Sequence, residues 1–120
     1  MYNVNPQPVR KVKTRIYICK KKPSIIDDDE NEIVQYEEPV KYYFNIQPVK
    51  DTLEKRTYGN VDTETLVAVI PQKYKYKGLF YEGDYAYIYI EPENNEPNYH
   101  ISGIRPQNAG IRIYFVKDND

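Results

Sequence analysis

Short runs of alternating apolar and polar residues, separated by glycine, proline and asparagine turns, constrain this fold more than any other feature. No long segment repeats its apolar side chains with the roughly 3.6-residue period of an amphipathic helix. The clearest alternation is Val40–Pro48, in which Val40, Tyr42, Phe44 and Ile46 share one face. We therefore predict an all-β fold, a small antiparallel β-barrel or sandwich with long loops and an extended N-terminal arm.

The pattern divides the chain into a loose arm, one domain and a short polar tail. We expect residues 1–12 to form the extended arm, 13–117 a single β-barrel domain and 118–120 the tail. Segment 20–32 is predicted to be a polar loop, and 49–63 a polar insertion with either a turn of helix near 52–56 or an exposed loop. The predicted strands are 14–19, 33–36, 40–48, 66–70, 84–90, 98–104 and 111–116.

Tyrosine is unusually frequent, with 14 tyrosines, three phenylalanines and no tryptophan. Tyrosine offers a wide apolar ring with a polar tip, which suits surfaces that become buried on assembly as well as ordinary strands. The predicted strand 84–90 is apolar or aromatic on both faces, with Tyr85, Tyr87 and Tyr89 on one of them. This strand is expected either to lie centrally or to pack against a second subunit.

Charge is segregated, although the net charge is only −1. Residues 1–22 carry seven basic side chains and no acidic ones, whereas residues 27–38 carry seven acidic side chains and no basic ones. These two segments can pair within one chain, pair between subunits, or remain solvated.

Sequence motifs for catalysis are missing. The single cysteine, Cys19, excludes an internal disulfide, and with one histidine, His100, the chain has no Cys/His cluster for zinc. No nucleophile elbow, phosphate-binding glycine loop or HExxH motif is present. The acidic run from Asp27 to Glu30 lacks the alternate spacing and the glycine of a calcium loop. We predict a protein that is not an enzyme and has no metal and no cofactor.

Nucleic-acid binding is the second possibility that the composition allows. The Tyr74-Lys75-Tyr76-Lys77 run interleaves aromatic and basic side chains, as in barrels that stack bases within a basic groove. Against this, the chain beyond residue 60 has six basic and nine acidic residues, the opposite of the usual balance. The mean hydropathy of −0.81 and the polar N-terminus predict neither a membrane helix nor a secretory signal.

The order of these features resembles the head-completion, or stopper, proteins of the head–tail connector of long-tailed bacteriophages. An early strand leads to a charged loop and then to a strand ending in Asn45-Ile46-Gln47-Pro48. A polar stretch with Tyr58-Gly59, an apolar strand before Pro71 and a strand introduced by Gly83-Asp84 follow, and two strands close the domain. The resemblance covers about residues 14–116.

The resemblance implies a virion protein of the neck, assembled in the host cytoplasm. Such a protein forms a ring of roughly six or twelve copies below the portal and its adaptor, closes the DNA channel after packaging and provides the platform for the tail terminator or tail tube. It would contact the packaged DNA end and no membrane. A tail-terminator-like neck protein and a small nucleic-acid-binding barrel remain alternatives.

The resemblance also assigns expected sites. The polar insertion is expected to face the channel, and its composition is typical of a mobile segment with a hinge at Gly59. The channel-facing residues would be Lys50, Asp51, Glu54, Lys55, Arg56, Tyr58 and Gly59. A subunit interface would use complementary patches. Its candidates are Arg10, Lys11, Lys13, Lys20, Lys21, Lys22, Asp27, Asp28, Asp29, Glu30, Tyr85, Tyr87 and Tyr89.

Overall fold

Six strands close into an antiparallel barrel in a computed structural model that describes residues 13–71, 76, 78–108 and 110–118. The barrel order is β1-β4-β5-β8-β7-β6, and β6 pairs with β1 to complete the ring. The prediction of a small all-β barrel is therefore confirmed. The elements are β1 (Thr14–Cys19), β2 (Lys21–Ile26), β3 (Glu32–Tyr36), β4 (Val40–Pro48), α1 (Thr52–Tyr58), β5 (Thr65–Ile70), β6 (Tyr85–Ile88), β7 (Tyr99–Pro106) and β8 (Ile111–Lys117).

Period-two alternation places one face of each barrel strand in the core. In β1, Ile16 and Ile18 belong to the core inside the barrel. They lie opposite residues of β6 on one side and of β4 on the other. In β4, the side chain of Phe44 is buried. The centroid of its ring lies 5.3 Å from that of Tyr42 and 6.0 Å from that of Phe80. Burial of these apolar surfaces is the main term that stabilises the barrel.

Strand β5 is covered on both faces, which explains its continuous apolar sequence. Leu66, Ala68 and Ile70 belong to the core cluster inside the barrel. On the outer face Val67 packs with Tyr114 and with Val49, which precedes α1. Strand β5 also pairs along both of its edges, with β4 and with β8.

The barrel closes at β6 with the help of one asparagine side chain. Strand β6 pairs with β7 over Tyr85 and Ala86. Beyond Ala86, the side chain of Asn98 replaces the backbone of a neighbouring strand. It accepts a hydrogen bond from the Ile88 amide (2.9 Å) and donates one to the Ile88 carbonyl (2.7 Å). The positive φ of Tyr89 (67°) ends the strand, so the predicted strand through residue 90 was too long.

Two segments leave the barrel wall. The first is a separate two-stranded hairpin made of β2 and β3, with Lys21 opposite Tyr36 and Ile26 opposite Glu32. The prediction that 20–32 is entirely a loop was wrong. The hairpin covers no core, so its strands do not need the apolar alternation that marks a half-buried strand.

The second segment contains the only helix among the described residues, α1. Asp51 caps it by accepting a hydrogen bond from the Glu54 amide at 2.9 Å, and the Gly59 amide bonds to the Lys55 carbonyl at the other end. The helical alternative for this segment is therefore correct, with bounds two residues longer than expected. No helix in the described part of the chain could cross a membrane.

Candidate assembly surface

The β2–β3 hairpin exposes aliphatic side chains on both of its faces. Ile25 and Ile33 face each other across the ladder and therefore lie on the same side of the ribbon. Ile26 and Val34 lie on the other side, and Ile26 is 74% exposed. Exposed aliphatic side chains grouped in this way are typical of surfaces that bind another molecule. We call these four residues the hairpin aliphatics.

The tip of the hairpin concentrates negative charge at its exposed end. Asp27 builds the turn, because its carboxylate accepts hydrogen bonds from the amides of Asp29 (2.9 Å) and Asn31 (2.8 Å). Glu30 adopts a positive φ of 66°, and Asp28, Asp29 and Glu30 are exposed. One tight turn thus places the acidic interface candidates, Asp27 to Glu30, next to one another.

Within the described residues, the acidic tip makes no ion pair with the basic residues of the first segment. The intrachain pairing that the sequence left open is therefore not formed by Lys13, Lys20, Lys21 or Lys22. The remaining two basic candidates, Arg10 and Lys11, lie outside the described residues. Among the described residues, the charges at the tip are therefore unpaired.

Lys20 anchors the base of the hairpin instead of lying in an open basic patch. Its ammonium group lies 2.9 Å from the Asp84 carboxylate and 4.6 Å from the centroid of the Tyr81 ring. Asp84 also accepts a hydrogen bond from the Tyr81 amide (3.0 Å), which explains why a carboxylate is buried there. The neighbours Lys21 and Lys22 are exposed.

The three predicted interface tyrosines do not form one row. Tyr87 is only 4% exposed within a single chain, so it offers almost no surface to a partner. Tyr85 is half-buried because Tyr36, from the base of the hairpin, packs edge-on against it at 5.3 Å. Tyr89 is 66% exposed but follows the end of β6. The chain itself thus covers most of the aromatic face of β6.

Helix α1 is docked on the outer wall of the barrel through Glu54. One oxygen of that carboxylate accepts a hydrogen bond from the Tyr114 hydroxyl (2.7 Å) and another from Arg112 (3.0 Å). Arg105 lies 3.7 Å from the same oxygen. Burial and the hydrogen bond to Glu54 raise the pKa of Tyr114, so the neutral phenol is the form that donates to the carboxylate.

Tyr58 completes the docking of α1. Its ring stacks on Tyr114 with the centroids 4.8 Å apart, and its carbonyl accepts a hydrogen bond from Ser102 (2.6 Å). Gly59 has a negative φ, so its backbone conformation does not itself require glycine. Glycine is needed there because a Cβ atom would collide with the Thr65 side chain. The hinge at Gly59 stays a prediction.

The predicted channel-facing residues divide into two groups. Glu54 and Tyr58 point toward the barrel, and Lys55 and Gly59 are half-buried. Lys50, Asp51 and Arg56 are exposed.

Cys19 and His100 are aligned across the sheet but separated by a strand. Tyr85 is the register partner of both residues, which places their Cα atoms roughly 10 Å apart, or two strand spacings. Burial, with smaller contributions from Asp84 and Glu37, raises the pKa of the Cys19 thiol to about 11. His100 lies 2.5 Å from Asp118. No group of potential metal ligands occurs among the described residues.

The hairpin aliphatics are not among the predicted site residues, although the sequence holds a signal for them. The run Ile25-Ile26 precedes the acidic turn and Ile33-Val34 follows it, so two aliphatic pairs flank a turn in a symmetrical arrangement. This arrangement is typical of a hairpin. The high charge of the intervening residues favoured a loop and concealed the pattern.

Comparison with known proteins shows a shared fold and no functional match. No protein-family model and no curated protein sequence matches the chain. The solution structure of protein SF1141 from Shigella flexneri 2a is similar, with a TM-score of 0.59 and 13% sequence identity over 95% of this chain and 99% of that one. At this identity the similarity concerns the fold alone.

Proposed function

We propose that this protein is a structural subunit of the head–tail connector of a long-tailed bacteriophage, and that it forms a ring below the portal and adaptor. In this role it closes the DNA channel after packaging and provides a docking platform for the tail. The observation that carries the proposal is the β2–β3 hairpin, which holds aliphatic side chains on both faces away from the core of its own chain. Such a hairpin becomes stable when a partner covers it.

The distribution of charge supports assembly with other copies. A head-to-tail ring uses two different patches on each subunit, so opposite charges at separate places strengthen its contacts. Here the acidic tip of the hairpin is unpaired within the described chain, and basic side chains such as Lys13 and Lys41 lie exposed on the barrel.

The channel-closing part of the proposal rests on the exposed charges of α1 and of the two residues that precede it. Lys50, Asp51 and Arg56 are directed to solvent, while Glu54 and Tyr58 fix the helix on the barrel. A docked helix presents these charges at a defined position in every subunit of a ring. The proposed gate is therefore a set of fixed charged side chains at the channel wall.

A stop codon early in this gene, placed in the viral genome that encodes it, tests the proposal. We expect packaged heads that release their DNA and carry no tails, as seen by electron microscopy, and a loss of infectious titre that a plasmid copy of the gene restores. A synonymous change at the same codon is the control. Normal titre from the stop-codon virus would contradict the proposal, and stable full heads beside tails of uncontrolled length would assign a tail-terminator role instead.

A further inference from the structure

A shallow groove lies on the barrel wall at the end that is remote from the hairpin. It has a volume of about 160 Å³, and its lining includes Tyr43, Val69, Ile70, Pro71 and Tyr76. Tyr43 is 53% exposed, so the aromatic wall of the groove faces solvent. A cavity of roughly 150 Å³ is enough to hold a benzene molecule, so the groove has the size for one branched aliphatic side chain.

The hairpin of the same chain lies away from the groove and contributes no residue to its lining. Lys13, at the start of β1, lines the groove, whereas the hairpin begins after Cys19 at the end of β1. The two ends of this strand are separated by roughly 20 Å, given about 3.3 Å per residue. The hairpin and the groove are therefore two different patches at opposite ends of one subunit.

Charge at the two patches is complementary. Lys13 lies at the groove. Arg105, which also lies 3.7 Å from the Glu54 carboxylate, lines an adjoining depression that shares Val69, Ile70 and Pro71. Neither lining includes a carboxylate among the described residues. The hairpin tip, in contrast, carries Asp28, Asp29 and Glu30 next to Ile26.

We propose that the β2–β3 hairpin of one copy docks into the Tyr43–Pro71 groove of the next copy. Ile26 enters the groove, and the acidic tip lies against Lys13. Because the two patches differ and lie at opposite ends, the contact is heterologous and repeats from one subunit to the next. This inference deepens the proposed function, on which its biological setting rests, by naming the contact that builds the ring.

Cross-linking of the full-length chain tests the contact directly. In a Cys19→Ala background, Ile26→Cys and Tyr43→Cys are introduced together, and concentrated protein is treated with a short bis-maleimide. The proposal predicts a ladder of covalent multimers from the double variant. A mixture of the two single-cysteine variants should give one heterodimer, and each variant alone should stay monomeric. Dimers of the single variant Ile26→Cys would indicate that two hairpins pair with each other, and they would overturn the proposal. The lack of any ladder from the double variant would also overturn it.

A matched pair of substitutions separates the aliphatic contact from general surface effects. Val34 lies on the same side of the ribbon as Ile26 and is 44% exposed, whereas Leu53 lies on α1 and is 70% exposed. Because position 26 carries the cysteine in the cross-linking protein, Val34→Ser and Leu53→Ser are compared there. We expect Val34→Ser to reduce the yield of multimers about tenfold and Leu53→Ser to leave it unchanged. Equal effects of the two substitutions would overturn the assignment.

Charge reversal tests the acidic part of the contact. Lys13→Glu should lower the multimer yield, and a second change, Asp28→Lys, should restore it, whereas Lys117→Glu should have no effect. Failure of the second change to restore the yield would count against the pairing of the tip with Lys13. Cross-links that appear only after deletion of residues 2–12 would place the N-terminal arm in the groove and overturn the proposal.

The connector proposal and the docking proposal can fail separately. If the stop-codon virus lacks tails but the Ile26–Tyr43 ladder does not form, the subunits of the connector meet through other surfaces. If the ladder forms but the stop-codon virus grows normally, this chain assembles head-to-tail outside a phage connector.

Discussion

The two segments that leave the barrel wall differ in how the rest of the chain holds them. Both are rich in charge, and both connect neighbouring strands of the barrel. Helix α1 is fixed along its length, through Glu54 near its start and Tyr58 at its end. The β2–β3 hairpin is fixed at its base, where Lys20 pairs with Asp84 and Tyr36 packs on Tyr85.

The difference teaches that charge content does not decide whether a segment docks. Glu54 is held because Tyr114 and Arg112 on the barrel offer donors at hydrogen-bond distance. The hairpin aliphatics have no equivalent partners within the described chain and are 40–74% exposed. The helix therefore packs on the barrel, and the hairpin is the surface that we propose binds another subunit.

The largest effect is expected at the contact between α1 and the barrel. Tyr114 is fully buried and joins Tyr58 to Glu54, so Tyr114→Ala should lower the free energy of unfolding by about 3–5 kcal/mol. Tyr114→Phe keeps the stacked ring and should cost about 1 kcal/mol. Urea denaturation measures both. A similar loss for the two variants would show that the ring contributes little to docking.

Removing the carboxylate of Glu54 should have the next effect. Glu54→Ala leaves the Tyr114 hydroxyl and Arg112 without their acceptor, and we expect a loss of about 1–3 kcal/mol in the free energy of unfolding. Glu54→Gln keeps one acceptor oxygen and should lose less. Amide hydrogen exchange would show faster exchange across 52–58 in the alanine variant. Unchanged exchange there would mean that Tyr58 alone holds the helix.

The thiol of Cys19 reports on the base of the hairpin. Because its pKa is raised to about 11, at pH 8 the thiolate should be about 100-fold scarcer than for a thiol at the ordinary value of 9.0. Alkylation by iodoacetamide should therefore be slow in the folded protein and fast in urea. Rapid alkylation without urea would show that the base opens readily and that the hairpin is not anchored there.

The smallest effect on stability is expected from the hairpin aliphatics themselves. Ile33→Ser should change the free energy of unfolding of the isolated chain by less than about 0.5 kcal/mol, because the side chain is 40% exposed and covers no core. Ile16→Val, in the barrel, should cost about 0.5–1.5 kcal/mol and serves as the comparison. A larger loss from Ile33→Ser would mean that the hairpin packs against its own chain.

The bounds of the barrel strands could be predicted from the sequence where one face of the strand packs in the core and the other does not. The bounds of β1 and β4 are correct as predicted, because strict alternation over Thr14–Cys19 and Val40–Pro48 leaves one register that buries the apolar face. Strand β6 was predicted too long, since the sequence continues to alternate past Ile88 while Tyr89 turns away. Strand β2 was missed because it buries no apolar face.

The candidate site was predictable in its charges but not in its geometry. The acidic run and the basic residues are visible in the sequence, but the partner of Lys20 is Asp84, 64 positions away. In the same way, nothing local to Glu54 indicates Tyr114 as its donor, 60 positions away. Such contacts depend on which strands the barrel brings together.

By itself, the sequence determined that the chain forms short strands around one core, because period-two alternation buries one face only in a sheet. The tertiary structure alone decided which of the two charged segments packs on the barrel and which extends from it. That outcome depends on side chains from β7 and β8 that closure of the barrel places beside α1, and on the lack of such partners beside the hairpin in the described chain.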